Sequence, residues 1–316
     1  VFLILPFLFY LYGSSYKEKF ISSDVVNYEY KVRAIGSNIS LDRFYSNIDP
    51  VSVINELIDI SQPVKDDKII FIWPEGILPD VSQEELVEFK WLFDDTFSKN
   101  HLLLIGINSH KANKEKINYF NSLTIYDHNL EILNSYNKIN LVPFGEFLPF
   151  ENILKSIGLS IITNNYQSFS RGSNRKIIEI KRDDFSLKIL PLICYEIIYS
   201  GKIFKNLGFD FIVNISEDGW FGKSIGPKQH FVHSIFRAVE SGKYLLRSAN
   251  NGIAAIVNPL GIVEQKVEYG KSGYVDFKKV NKIQPTVFSK YGNKIFITLI
   301  LLYIFMIFSF NKFKNE

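Results

Sequence analysis

Short apolar runs recur between about residue 28 and residue 282, and polar or turn-forming residues end each of them. They lie at 31–35, 69–72, 102–107, 122–126, 176–180, 187–193, 209–214, 244–248 and 253–257. Their length and their Val, Ile, Leu and Phe content predict buried strands. Helical spacing intervenes twice: Leu86, Phe89, Leu92, Phe93 and Phe97 mark 84–97, and Phe231, Ile235, Phe236 and Val239 mark 229–241. Glu84, Glu85 and Glu88 suit the positive end of the first helix dipole. Strands alternating with helices predict an α/β fold or a layered αββα arrangement. No internal repeat or low-complexity linker divides it, so one domain is expected. Sheets of this kind build their sites where strands end.

Three segments carry chemistry, two of them at such ends. The run at 187–193 stops at Cys194, the single cysteine of the chain, so no internal disulfide is available. A thiol there is an inert apolar group or a nucleophile, and its neighbours decide which. A free thiol titrates near about 8.5 and needs a base or a cation to react at neutral pH. In Ile69-Ile-Phe-Ile-Trp-Pro-Glu75-Gly, Pro74 removes a ladder donor and ends a buried strand. Glu75 is thereby fixed at a strand terminus as a usable general base. In Tyr136-Asn-Lys138-Ile-Asn-Leu-Val-Pro-Phe-Gly-Glu146, the lysine precedes a proline-rich loop. Its ammonium could hold charge where an oxyanion develops. The N–H of Tyr195 can complete that oxyanion hole, and Glu196 follows it. Taken singly, each has an ordinary alternative: a buried thiol, a capping carboxylate, a snorkelling lysine. Phe144, Phe147 and Phe150 add an aromatic cluster to the loop.

Glu75, Lys138 and Cys194 in that order, the last within Ile-Cys-Tyr-Glu, resemble the Glu–Lys–Cys triad of the nitrilase-like carbon–nitrogen hydrolases. Further blocks are similar to one branch, the apolipoprotein N-acyltransferases, bacterial enzymes that add the third acyl chain to lipoproteins. These blocks are Trp73-Pro-Glu-Gly, Leu141-Val-Pro-Phe-Gly-Glu-Phe-Leu-Pro, Asn214-Ile-Ser-Glu-Asp-Gly-Trp-Phe-Gly, Gly226-Pro-Lys-Gln-His and Leu246-Arg-Ser-Ala-Asn-Asn-Gly-Ile-Ala. The similarity spans about 29–261 and the last hydrophobic segment. It implies a nitrilase-like αββα sandwich with catalytic Glu75, Lys138 and Cys194. Glu146 falls on the family's auxiliary acid, and Tyr195 and Glu196 on the residues after its nucleophile. The resemblance implies acyl transfer from a phospholipid, through a Cys194 thioester, to the diacylglyceryl-cysteine amine of an apolipoprotein. It calls for no cofactor and no metal. It also implies a multi-pass protein of the bacterial inner membrane, with the catalytic domain facing the periplasm. Two features depart from the family. Only the last part of its N-terminal membrane helices has a counterpart. The opening strand at Gly36-Ser-Asn-Ile-Ser is weak, and an expected arm tryptophan has no clear equivalent, Phe44 and Tyr45 being the nearest aromatics.

Residues 1–12 are nearly all apolar but shorter than the about 20 helical residues a bilayer requires. They read as the remnant of a longer membrane helix in an N-terminally truncated sequence, since no basic segment precedes them as in a signal peptide. The uncharged run 295–310 has Lys290, Tyr291 and Lys294 on one side and Lys312 and Lys314 on the other, as interface anchors would be. A spanning helix is expected at 290–311, with a short tail at 312–316 and a catalytic domain at 13–289. The apolar segment 153–169, broken by Asn164 and Asn165, is expected to be a lid dipping into the lipid interface or else an ordinary packed helix. The 36 Lys and Arg barely outnumber the 33 Asp and Glu, which gives no ground for a nucleic-acid partner. Gly222-Lys-Ser is no phosphate loop, because Glu217 stands where that motif needs glycine. His230 and His233 lack an accompanying ligand pattern and are expected to be structural or supporting. Trp220-Phe221-Gly222 suits a pocket wall and core packing equally. Two rival functions share these features: a membrane-tethered amidase of the nitrilase type, and an inactive fragment acting as a scaffold.

Overall fold

A computed structural model describes the chain apart from residues 1–3, 47, 113–116, 151–155, 157–167, 183–184, 202, 204–206 and 315–316. The expected lid, 153–169, lies almost wholly outside the described residues. The strands are β1 (Val25–Ser37), β2 (Ile69–Ile72), β3 (Leu78–Ser82), β4 (His101–Ala112), β5 (Ile117–Tyr126), β6 (Ile132–Asn137), β7 (Ile178–Arg182), β8 (Phe185–Ile193), β9 (Phe211–Glu217), β10 (Tyr244–Asn250), β11 (Ala254–Val257), β12 (Val263–Val267) and β13 (Gly273–Asn281). Helices that bear on the argument are α1 (Ile4–Ile21), α2 (Pro50–Ser61), α3 (Lys90–Asp94) and α4 (Gly226–Ser241).

The main strand order is β6-β5-β4-β2-β1-β10-β9-β8-β7, with β3 on β4, β13 on β1, and β11 then β12 beside β10. Strands β8, β9, β10, β1, β2 and β4 are parallel to one another. Two antiparallel steps, β4 to β5 and β5 to β6, restore β6 to that same direction. The C-terminal ends of β2, β6 and β8 therefore share one edge. Glu75, Lys138 and Cys194 each follow one of those ends.

Strands β1 and β10 pair only at Gly36–Ala249 and Ser37–Asn250. A methyl group on Gly36 would stand 3.0 Å from Ala254 Cβ, so the seam accepts no larger residue without movement. On either side of it the sheet divides into two halves, and apolar residues sort into three cores. Val32, Ile70 and Leu104 from one half meet Ile189, Phe211 and Val213 from the other. On the outer face of the first half, Phe71, Leu103 and Ile105 pack on Ile54 and Leu57 of α2. On the outer face of the second, Leu192, Ile212 and Leu245 pack on Phe231 and Ala238 of α4. The layers run helix, sheet, sheet, helix. Strand β2 is apolar at every position because both its faces are covered.

The helix expected at 84–97 is broken into a 3-10 turn, Glu85–Phe89, followed by α3. Ser82 and Glu85 cause the tight start: the Ser82 N–H donates to the Glu85 carboxylate at 2.8 Å, and the Glu85 N–H donates to the Ser82 hydroxyl at 3.3 Å. At the chain ends, α1 runs on past residue 12, and a helix at Lys294–Lys314 occupies the expected C-terminal segment. Among the described residues no helix is long and apolar enough to cross a membrane. No residue of α1 is buried, and Phe296, Leu301, Phe305 and Phe308 of the last helix are all exposed.

Candidate active site

Pro74 ends β2, and Gly76 adopts φ 54, turning the chain so that Glu75 stays at the sheet edge. Gly106 of β4 lies directly beneath; a Cβ there would meet Pro74 O at 2.3 Å and Glu75 Cα at 2.5 Å. Lys138 extends β6 by one residue, its N–H donating to Asn121 O at 2.8 Å. Its side chain is 1% exposed. The ammonium donates to Glu75 Oε1 at 2.8 Å and to Glu146 Oε1 at 2.9 Å. Asn121 Nδ2 donates to the same two oxygens, at 2.7 and 2.8 Å. Two donors thus bridge two carboxylates. The remaining oxygens accept backbone N–H groups, Glu75 Oε2 from Glu217 at 3.0 Å and Glu146 Oε2 from Val142 at 2.8 Å. Burial disfavours the Lys138 ammonium, but Glu75, Cys194 and Glu146 outweigh it and hold the lysine pKa above its ordinary value. The site therefore keeps a fixed positive charge.

Cys194 begins a 3-10 turn, Cys194–Ile198, with φ 44, a left-handed conformation that costs a non-glycine residue free energy. Glu196 holds that turn. Its fully buried carboxylate accepts from the N–H groups of Ile193 and Ile139 at 2.9 Å and Asn140 at 3.2 Å, from Arg175 at 2.9 Å and from the Tyr136 hydroxyl at 3.0 Å. It faces this scaffold and binds the cysteine turn to the segment after Lys138. Tyr195 faces the other way and borders a cavity of about 1090 Å³, as do Glu75, Lys138, Glu146 and Cys194. Burial pushes the Cys194 thiol well above its ordinary pKa, Glu75 adds to this, and Lys138 opposes it. The six residues singled out in the sequence are brought together, five at the cavity wall and Glu196 behind it.

A second buried cluster stands on the far side of Cys194. His230 Nε2 is 3.3 Å from Cys194 O and His230 Nδ1 is 2.8 Å from Asp218 Oδ1. Arg247 Nη2 donates to both Asp218 oxygens, at 2.9 and 2.8 Å. Burial works against the Asp218 carboxylate, yet Arg247 and His230 hold it down to about 2. His230 thus has the supporting place expected of it, and it also borders the cavity. Asp218 and Arg247 lie inside sequence blocks that stood out without an assigned role. Trp220 and Phe221 form part of the cavity wall, with Phe44 packed on Trp220. Phe144 and Phe150 are exposed, each with positive φ.

Chemically, the site joins a carboxylate able to move a proton, a permanent cation and a thiol at one cavity. The carbon-nitrogen hydrolase family pattern matches residues 60–275. The chain is 36% identical over 274 residues to an apolipoprotein N-acyltransferase of Wigglesworthia glossinidia brevipalpis, covering 83% of this chain and 52% of that protein. It is 35% identical over 240 residues to the enzyme of the same name from Rickettsia typhi, covering 75% and 47%. The chain spans about half the length of the curated relatives it matches. Among solved structures, a glutamine-dependent NAD+ synthetase of Acinetobacter baumannii is similar with TM-score 0.54 and 15% identity, over 80% of this chain and 47% of that one. A nitrilase-superfamily member of Saccharomyces cerevisiae gives TM-score 0.51 and 15% identity, over 78% and 89%. Those two likenesses concern the fold.

Proposed function

The chain belongs to the carbon–nitrogen hydrolase family, and from that membership we propose that it is a membrane-attached N-acyltransferase acting on lipoproteins. The convergence of Glu75, Lys138 and Cys194 on one cavity carries this reading. In the first half-reaction Glu75 takes the thiol proton and Cys194 sulfur attacks the ester carbonyl of a phospholipid. The C–S bond forms, the C–O bond breaks, and Glu75 returns the proton to the departing lysophospholipid oxygen. Lys138 and the Tyr195 N–H stabilise the intervening oxyanion. In the second half, the α-amine of a diacylglyceryl-cysteine apolipoprotein attacks the thioester. The C–N bond forms, the C–S bond breaks, and Glu75 passes an amine proton to sulfur.

The names of the curated relatives supply the acceptor, an apolipoprotein, and the group moved, an acyl chain. Support for a lipid donor comes from the cavity, which is larger than the roughly 300–1,000 Å³ usual for small ligands. The exposed apolar helices at both ends support attachment to a membrane. We place that membrane as the bacterial inner membrane, with the catalytic domain on the periplasmic side. The experiment is mass spectrometry of Cys194 after the detergent-solubilised chain meets phospholipid. An added acyl mass, discharged by an N-terminal cysteinyl lipopeptide and missing in Cys194→Ala, is expected. An unmodified thiol alongside hydrolysis of small amides would make the chain a tethered amidase instead.

A further inference from the structure

Phe44, Trp220 and Phe221 border the cavity, yet none sits on a long element. Phe44 ends the 3-10 turn Leu41–Phe44, and the other two lie in the turn Gly219–Phe221. Turns of three or four residues do not hold themselves in place. The Phe44 and Trp220 rings meet at 4.8 Å between centroids, and Tyr45 meets Trp220 edge-on at 6.5 Å. Trp220 is 53% exposed, so ring contact alone leaves this lip open to solvent.

The anchor lies underneath. Arg43 is 2% exposed and forms an ion pair with the equally buried Glu217 at the end of β9. Arg43 Nη1 donates to Ser40 O at 2.8 Å, closing its own turn, and its guanidinium carbon lies 4.5 Å from the Phe44 ring centre. Glu217 also accepts from Asn250 Nδ2 at 2.7 Å and from the Gly219 N–H at 2.8 Å. The Glu217 N–H donates to Glu75 Oε2. One residue therefore holds the aromatic lip with its carboxylate and the candidate base with its amide.

We infer that the Arg43–Glu217 ion pair is a specificity-determining latch: it holds the Phe44–Trp220 lip at the cavity wall and so favours long acyl chains over short ones. This rests on the acyl-transfer reading and adds how chain length is sensed. A two-carbon acyl group occupies only the reacting centre, whereas a long chain has methylenes left to bury against the rings. Because Glu75 is held by the Glu217 amide and not by its carboxylate, loosening the latch leaves the base in place. Selectivity then changes without loss of the chemistry.

The test uses the full chain, Arg43→Gln and Trp220→Ala, with long-chain and acetyl p-nitrophenyl esters as donors. In each variant the ratio of kcat/KM for the long-chain ester to that for the acetyl ester is expected to fall about tenfold. Equal losses on both esters, or none on either, would overturn the latch. A second measurement does not depend on turnover. Trp220 emission, taken as the difference from Trp220→Phe, is expected to shift to the red and quench more readily with acrylamide in Arg43→Gln; an unmoved signal counts against the latch. Should the lone Glu217 charge prevent folding, the pair Arg43→Gln with Glu217→Gln removes both charges and takes the same two measurements. If the unaltered chain turns over neither ester, the acyl-transfer reading falls, and the emission still judges the latch.

Discussion

Lys138 is the residue on which the electrostatics of the site turn. It lies buried between two carboxylates and near a thiol that burial keeps protonated. Replacing it by Met keeps the bulk and removes the charge. The thiolate then loses the larger of its two favourable neighbours, the Ser216 hydroxyl remaining, so the Cys194 pKa must rise further. Iodoacetamide labelling of Cys194 against pH is expected to show a midpoint shifted upward in Lys138→Met, with turnover reduced by about 10²–10³. A midpoint that stays or falls would uncouple the two side chains. Glu75 and Cys194 were legible in the sequence because each stands just after an apolar run, and Lys138 because it precedes a proline-rich loop. Asn121 was not, although it touches Glu75 and Glu146. It sits within β5, and only the register that sets it opposite Asn108 and against Lys138 gives it a role. Arg43 was equally silent, since nothing local distinguishes a latch from a surface arginine.

Among the elements, β4 does most to place the base. Its Gly106 leaves no room for a side chain under Pro74 and Glu75. Gly106→Ala must push that loop outward, and a displacement of about 1 Å is enough to cost roughly 10²-fold in rate. The expected result is loss of Cys194 acylation with near-native circular dichroism; full activity would mean that the loop yields without moving Glu75. The strands expected at 31–35, 69–72, 102–107, 187–193 and 244–248 all form, most of them longer than their apolar runs. Strands β6 and β12 escaped notice because they are largely exposed and lack an apolar run. Helix α2 escaped despite legible signals: Asp49 caps it, Pro50 opens it, and Val53, Ile54, Leu57 and Ile58 form its buried stripe. The split at 84–97 came from side-chain bonding at Ser82, which apolar spacing does not encode.

For the molecule as a whole, the unburied apolar surface of α1 and of Lys294–Lys314 has no protein cover among the described residues. On the membrane-attached reading proposed above lipid covers it, and attachment of that kind is little weakened by salt. The chain is expected to float with phospholipid vesicles in high salt, and to sink once Phe296, Leu301, Phe305 and Phe308 are all replaced by Ser. Floating unchanged by those substitutions would locate the attachment elsewhere. The hydrophobic ends and the layered αββα order were legible in the sequence, whereas the place where the sheet divides was not, because pairing across β1 and β10 involves residues some two hundred positions apart. That division has a consequence for how the protein fails. Glu75 and Lys138 ride on one half of the sheet and Cys194 on the other. Besides two residue pairs and the shared core, the halves are tied at the site by the Glu196 carboxylate and the Glu217 amide. Loosening either tie is therefore expected to part the Cys194 sulfur from the Glu75 carboxylate before any core opens. On the reading proposed above, chemistry is expected to go silent while the architecture still stands.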